Sequence, residues 1–339
     1  MRLKRWVKHR LNSLAHLLGQ ELVARKAVYE WQRDLPEGPI WNRCQLAEEA
    51  LNYLRPDNPR LVDLTRRYAS CDSDVITPAT WTSDHVRAED LTYFRGDNAW
   101  VWQVRGMGLN TLEYALTYYY LKSMDRLGLF SKLTEDESFG NFTVPIDGRK
   151  VSRDLLDSVG EIDFLDRHLA IGSTKGIRIL DIGAGYGRLG NRMVNALSGV
   201  ERYICTDAFA ASTFVCEYYL RTRAAERAVV VPLDEIEAAL EGSPVDLAIN
   251  VHSFSECRPA AIEWWVRLLS RHGVKQLMIV PNYLHGGGEF LRTNAGEDFL
   301  PILERHGYRT ILKEPKYLDP VVQQYGIEPT WRHLLELRG

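Results

Sequence analysis

Long apolar runs are missing from this 339-residue chain. None reaches the roughly 18 residues that a bilayer-spanning helix needs, so no transmembrane segment is expected. Paired cysteines are missing too. The five present (Cys44, Cys71, Cys205, Cys216, Cys257) are odd in number and widely spaced, with no C-x-x-C pair. That pattern fits reduced thiols in the cytoplasm better than disulfides or a zinc site. Charge of one sign is not in excess either: the formal net charge is −3, and nothing global points to nucleic acid. There is no internal repeat and no low-complexity tract.

What is there resembles an ordinary globular protein, with 45% hydrophobic and 26% charged residues. The length suggests about two domains. Nine Trp and sixteen Tyr exceed what a minimal core needs; large cores explain them more simply than an aromatic-lined pocket does. The start, Met1-Arg-Leu-Lys-Arg-Trp-Val-Lys-His-Arg10, is basic like the start of a signal peptide. The stretch Leu11-Asn-Ser-Leu-Ala-His-Leu-Leu-Gly19 that follows is interrupted by polar residues and lacks a small-residue cleavage site, so secretion is not expected. A basic amphipathic helix that touches anionic lipid or a partner, a second copy of the chain included, stays open. Packing on its own domain is the simpler expectation.

The chain changes character near residue 172. Apolar residues at three- and four-residue spacing predict helices over 43–55, 107–127 and 153–170. Residues 70–106 read as irregular. A short strand pair is expected around Gly140–Val151, turning at Asp147-Gly148. After Gly172-Ser-Thr-Lys-Gly176, strand candidates (Ile177–Ile182, Arg202–Thr206, Ala228–Val231, Leu247–Val251, Gln276–Val280) alternate with helices over 187–197, 210–223, 234–240 and 260–271. Such alternation implies a mostly parallel sheet with helices on both faces. Two last strands, Tyr308–Lys313 and His333–Leu337, with no convincing helix between them, suit a closing antiparallel hairpin. The expectation is a mainly helical domain over 1–170, serving as substrate site or lid, followed by a Rossmann-like α/β domain over 171–339.

The segment Ile179-Leu-Asp-Ile-Gly-Ala-Gly-Tyr-Gly187 links a buried-looking strand to a helix. Gly183, Gly185 and Gly187 let backbone amides approach a ligand at a helix N-terminus. Gly185, Gly187 and Gly190 even satisfy the dinucleotide fingerprint. Asp181, at the strand's end, argues against a pyrophosphate and suits a cofactor bearing cationic ammonium and sulfonium groups. The loop's position halfway along the chain, with about seven strands from there to the C-terminus, points the same way, toward S-adenosylmethionine. Asp207 closes the second strand, where a carboxylate can take both ribose hydroxyls, a feature that NAD enzymes share. Beyond the third strand, Leu233 would pack on the adenine and Asp234 would bond its amino group, unless Asp234 merely caps a helix.

The fourth strand ends in Ile249-Asn-Val-His-Ser-Phe-Ser-Glu-Cys257, which faces the methyl donor if the sheet is doubly wound. Asn250 is expected at the cofactor. His252 is the candidate general base, because imidazole titrates near neutral pH. Glu256, four residues on, would orient it from the same helix face or bind a substrate hydroxyl; the plainer alternative is a packed histidine beside a serine helix cap. His285, in Pro281-Asn-Tyr-Leu-His-Gly-Gly-Gly288, is a rival base or substrate contact. Asp207, Glu256 and His252 could contribute to a magnesium site, but no compact ligand motif is present and no metal is expected. Arg95, Asp97 and Asn98, beside Trp100 and Trp102, form a polar and aromatic cluster suited to a sugar, or else a buried polar turn. Arg95 or Arg153 could instead hold the cofactor's carboxylate.

Four segments together resemble the bacterial sugar O-methyltransferase family: Tyr93-Phe-Arg-Gly-Asp-Asn-Ala-Trp-Val-Trp-Gln103, Val151-Ser-Arg-Asp-Leu-Leu-Asp-Ser158, the Asp181–Gly190 loop and His252-Ser-Phe-Ser-Glu256. They span about residues 90 to 290, and the first and last are the most specific. The resemblance implies a class I, S-adenosylmethionine-dependent enzyme and, indirectly, a sugar or glycosylated acceptor. Methylation of a non-sugar metabolite at oxygen or nitrogen, and a non-catalytic nucleoside-binding module, are the alternatives that the residues leave.

Overall fold

In the computed structural model, residues 46–82, 85–96, 98–101 and 111–338 are described, with isolated positions between 11 and 23. The basic segment 1–10, Asp97 and residues 102–110 lie outside them, and with them the expectations placed there.

From residue 46 on, three short helices come first: α1 (Glu48–Tyr53), α2 (Pro59–Tyr68) and α3 (Ser73–Ile76). Helix α2 starts where it does because the Asn58 side chain accepts from the Arg60 amide at 2.8 Å and Pro59 fills the first turn. Helices α4 (Thr111–Met124) and α5 (Leu129–Lys132) follow, then the hairpin β1 (Val144–Ile146) and β2 (Arg149–Val151). Asp147 and Gly148 make its turn at φ 51° and 75°, the left-handed pair that two-residue hairpins require. Helix α6 (Arg153–Leu169) is buried from Arg153 through Leu165, capped by the Ser152 hydroxyl.

From β3 (Ile177–Ile182) the chain alternates: α7 (Arg188–Ala196), β4 (Val200–Thr206), α8 (Ala210–Thr222), β5 (Ala228–Val230), α9 (Ile236–Gly242), β6 (Leu247–Val251), α10 (Ser253–Glu256), α11 (Pro259–Arg271) and β7 (Gln276–Val280). Helices α12 (Leu284–Gly287) and α13 (Leu300–Arg305), strand β8 (Tyr308–Pro315), helix α14 (Pro320–Tyr325) and strand β9 (Trp331–Leu337) complete it. Seven strands form one sheet in the order β5-β4-β3-β6-β7-β9-β8. The first five are parallel, and β9 runs antiparallel to both β7 and β8. The inner strands β6 and β7 are buried along nearly their whole length because both faces are covered, whereas the edge strand β8 is largely exposed.

The expected Rossmann-like sheet and its antiparallel close are therefore present. The β8–β9 link is not bare, however. It carries α14, which Asp319 caps by accepting from the Val321 and Val322 amides at 2.8 and 3.1 Å, with Pro320 in the first turn. Buried apolar side chains from Ala50 to Leu335 form one cluster. Helix α6 comes close enough to β9 that a Cβ on Gly160 would fall 2.5 Å from Arg332 Nη2.

Candidate active site

The strand order reverses between β3 and β6, and in such sheets ligands bind beyond the carboxyl ends of the strands at that switch. A cavity of about 550 Å³ opens there. Its floor is the loop after β3, Asp207–Phe209 after β4, and Val251–Glu256 after β6. The Val75–Trp81 segment, Trp100 and Arg153 wall it from the N-terminal half, and Glu328 closes it from the link before β9.

Gly183, Gly185 and Gly187 all sit at left-handed φ (74°, 57° and 85°). At Gly183 a Cβ would also fall 2.2 Å from Ser253 Oγ, so the loop lies directly on the start of α10. Gly187 caps α7, and a Cβ there would meet Cys216 Sγ at 2.7 Å. Gly185 faces the cavity, with only Trp100 Cδ1 nearby at 3.6 Å.

Asp181 and Asp207 both line this cavity. Burial pushes the carboxyl of Asp181 up to about 7, against the hydrogen bond that the Tyr203 hydroxyl donates at 2.8 Å. Burial likewise pushes Asp207 up to about 7, opposed by the amides of Phe209 (2.8 Å) and Gly185 (3.1 Å), which donate one to each carboxylate oxygen. Two buried carboxyls raised in this way at one ligand-sized cavity mark it as a candidate functional site.

Other expected cofactor residues are placed elsewhere. Asp234 does not line the cavity. Arg67 at the end of α2 grips it in bidentate fashion (2.7 and 2.8 Å), and the Leu233 amide donates to the Tyr68 hydroxyl at 2.9 Å. Leu233 is buried and lines, with Asp234, a separate cavity of about 440 Å³ between α2 and α11. Asn250 is 0% exposed. Its amide donates to Ile182 O and its oxygen accepts from the Phe254 amide, both at 2.9 Å, so it ties β3 to α10 instead of touching a ligand.

The polar cluster is corrected in the same way. Arg95 is 1% exposed and pairs with Glu135 and, at 2.7 Å, with Asp136. Asn98 is 0% exposed and spans Tyr93 O and the Trp100 amide. They form the buried polar turn, not a sugar site; a guanidinium so enclosed is tolerated only because carboxylates meet it. Asp97 lies outside the described residues, as does the His285 side chain, whose backbone is part of α12.

Of the two arginines considered for a carboxylate, Arg153 is the one at the cavity. It pairs with Glu328 and with Asp157 (3.3 Å), while its Nη1 is buried with no hydrogen-bond partner. Arg188, also at the wall, is held by Glu161 at 2.7 Å.

His252 stands at the N-terminus of α10 with φ 66° and ψ −33°. A non-glycine residue there costs on the order of 1–3 kcal/mol and persists only when its surroundings impose it. Here the His252 amide donates to Val280 O at 2.7 Å and its carbonyl accepts from the Ser255 amide at 3.0 Å. Its Nδ1 is buried without a partner, and its Nε2 faces Glu328 at 3.7 Å. The expected His252–Glu256 pairing does not occur, because His252 lies just outside α10 at positive φ and does not share its helical face. Glu256 accepts instead from Trp81 Nε1 at 2.6 Å and from Asn282 Nδ2 at 3.3 Å. Trp81 in turn lies 5.5 Å from Phe209 and 6.1 Å from Trp100, ring centre to ring centre.

Trp81, Asn282 and Glu328 went unread in the sequence. Trp81 lies in an irregular stretch with no periodicity, and Glu328 reaches the site only through the long β8–β9 link. Among the described residues, no three His, Cys, Asp or Glu side chains converge as a metal site, and no helix is long and apolar enough to cross a membrane.

No protein-family model and no curated protein matches the chain. Solved structures similar to it include the magnesium protoporphyrin IX methyltransferase of Synechocystis PCC 6803 with bound SAH, at 15% identity and a TM-score of 0.40 over 58% of this chain and 89% of that one. An S-adenosylmethionine-dependent methyltransferase of Clostridium acetobutylicum ATCC 824 shares 12% identity, with a TM-score of 0.38, over 54% of this chain and 91% of its own. The mitomycin 7-O-methyltransferase MmcR shares 17%, with a TM-score of 0.37, over 54% and 57%.

Proposed function

We propose that this chain is an S-adenosylmethionine-dependent O-methyltransferase acting on a hydroxyl of a sugar or glycosylated metabolite, with His252 as general base. One observation carries the reading: the left-handed glycine loop, Asp207 and His252 open onto a single cavity at the carboxyl ends of β3, β4 and β6.

The residues fit that cofactor. Gly185 offers backbone without a side chain, Asp207 has lone pairs left for ribose hydroxyls, and the unpartnered Nη1 of Arg153 suits a carboxylate. Asp181, Asp207 and Glu256 give the wall a negative lining that favours ammonium and sulfonium. S-adenosylmethionine bound there supplies an electrophilic methyl group: the bond from acceptor oxygen to methyl forms as the sulfur–methyl bond breaks, and the electron pair stays on sulfur in a neutral thioether. Orienting the hydroxyl behind the methyl contributes much of the acceleration, up to about 7–11 kcal/mol. His252 takes the hydroxyl proton and passes it to solvent, a contribution of about 10²–10⁴-fold.

The acceptor end supports a carbohydrate. Trp81, Trp100 and Tyr283 line it with aromatic rings, and Glu256 and Asn282 line it with groups able to fix hydroxyls. Arg188 is matched by Glu161, and Arg153 by Glu328 and Asp157 with only Nη1 left for the cofactor's carboxylate, so an uncharged acceptor fits better than a nucleotide diphosphate sugar. Calorimetric titration tests the cofactor: saturable binding of S-adenosylmethionine and S-adenosylhomocysteine is expected, and no binding at high micromolar concentration removes the enzyme reading. Incubation with neutral glycosides, scored by mass spectrometry for one added methyl group, tests the acceptor class.

A further inference from the structure

We infer that Glu328 is the positioning residue for His252, the part expected of Glu256, and that Arg153 and Lys316 hold it in place. The inference rests on the reading of His252 as general base.

Glu328 is the carboxylate that faces the imidazole, 3.7 Å from Nε2, an ion-pair separation just beyond a hydrogen bond. Its own backbone is left-handed, at φ 43°. Two non-glycine residues in that region therefore meet across the cavity, one ending β6 and one preceding β9. The Glu328 conformation is imposed from behind: buried Lys316 donates to Ile327 O and Glu328 O, both at 3.1 Å, and to Asp157 at 2.7 Å. Arg153 joins Asp157 to Glu328. Burial alone would raise the Glu328 carboxyl, but Arg153, His252 and Lys316 together hold it below the usual range.

The charges around His252 add up to a purpose. Asp157 is committed between Lys316 and Arg153, and Glu256 between Trp81 and Asn282. When His252 takes the acceptor's proton, Glu328 is left to meet the new imidazolium. The carboxylate of a catalytic triad does the same work.

Glu328→Gln tests this in the full chain. Cofactor affinity by calorimetry is expected to stay within about threefold and acceptor KM likewise, while kcat falls about 10²-fold. The acid limb of the kcat–pH profile should move down, because a neutral amide no longer favours imidazolium. The same displacement is expected in the His252 imidazole titration followed by ¹⁵N NMR on the cofactor-bound protein, which needs no turnover. An unmoved His252 titration, or wild-type kcat, overturns the positioning role. Should E328Q not fold, Glu328→Asp carries the test: its shortened carboxylate should give an intermediate kcat and a partial displacement, and wild-type values for both overturn the inference. Wild-type turnover in His252→Ala would remove the base reading instead, whereas the NMR displacement reports on the Glu328–His252 contact alone.

Discussion

Asp181 and Asp207 would carry the pH dependence of the proposed cofactor site. Both carboxyls are raised to about 7 by burial, so in the free protein they bind protons between about pH 4 and 7 that the unfolded chain has already released. A cation that needs them ionised must then compete with protons. Affinity for S-adenosylmethionine is expected to rise from pH 6 to pH 8 and to level off above, as titration calorimetry at the two values will show. The same shifts act on stability in the opposite sense. A raised folded-state value means stability that is present below the unfolded value and lost as pH climbs through 7. Asp181→Asn keeps an acceptor for the Tyr203 hydroxyl and removes the charge. It should stabilise the cofactor-free protein at pH 8 on the order of 2 kcal/mol in urea unfolding, with the gain shrinking toward pH 5. Asp207→Ala should weaken cofactor binding about tenfold or more, and an unchanged dissociation constant would refute its ribose role. His252→Ala should leave that constant nearly unaltered while methyl transfer drops at least about 10²-fold.

At the scale of elements, α10 and the glycine loop are one construction. Gly183 lies against Ser253, and Asn250 bridges Ile182 O to the Phe254 amide. Gly183→Ala would add both a left-handed Cβ and a collision with Ser253 that cannot be relieved by rotating a flexible tip. A loss of at least about 2 kcal/mol, read by denaturant melting, is expected together with lost cofactor binding. Asp234→Ala is its counterpart: the Arg67 pair is half-buried, so stability should fall by about 1 kcal/mol at most while cofactor affinity stays put. These cases show what the sequence could express. The strand–glycine–helix passage was readable because its spacing is local, and the alternation of apolar strands and helices did the same for the sheet. Asp319-Pro320 carried a readable helix start that the lack of periodicity in six residues concealed. The partners of Asp234, Arg95 and His252 were not readable. They come from residues 67, 135 and 328, and a charged side chain does not announce which distant charge will meet it in the fold.

Among the described residues, the helical part of the chain is joined to the sheet by side chains from several elements. Arg60 on α2 pairs with Glu217 on α8, Arg67 with Asp234, and α6 lies against β9, where Arg332 sits 5.7 Å from the Phe164 ring centre. Residues 171–339 expressed alone would expose the apolar surface that α6 and α2 now cover, and are expected to be insoluble or molten, as light scattering and near-UV circular dichroism would register. Modularity is the casualty of that continuous core. In many two-domain enzymes a new acceptor half can be exchanged onto a conserved cofactor half; here the wall that would choose the acceptor, Val75–Trp81 with Trp100 and Arg153, belongs to the same packed body as the sheet. Specificity in such a chain is free to drift by single substitutions along the wall, and has no route by recombination of parts.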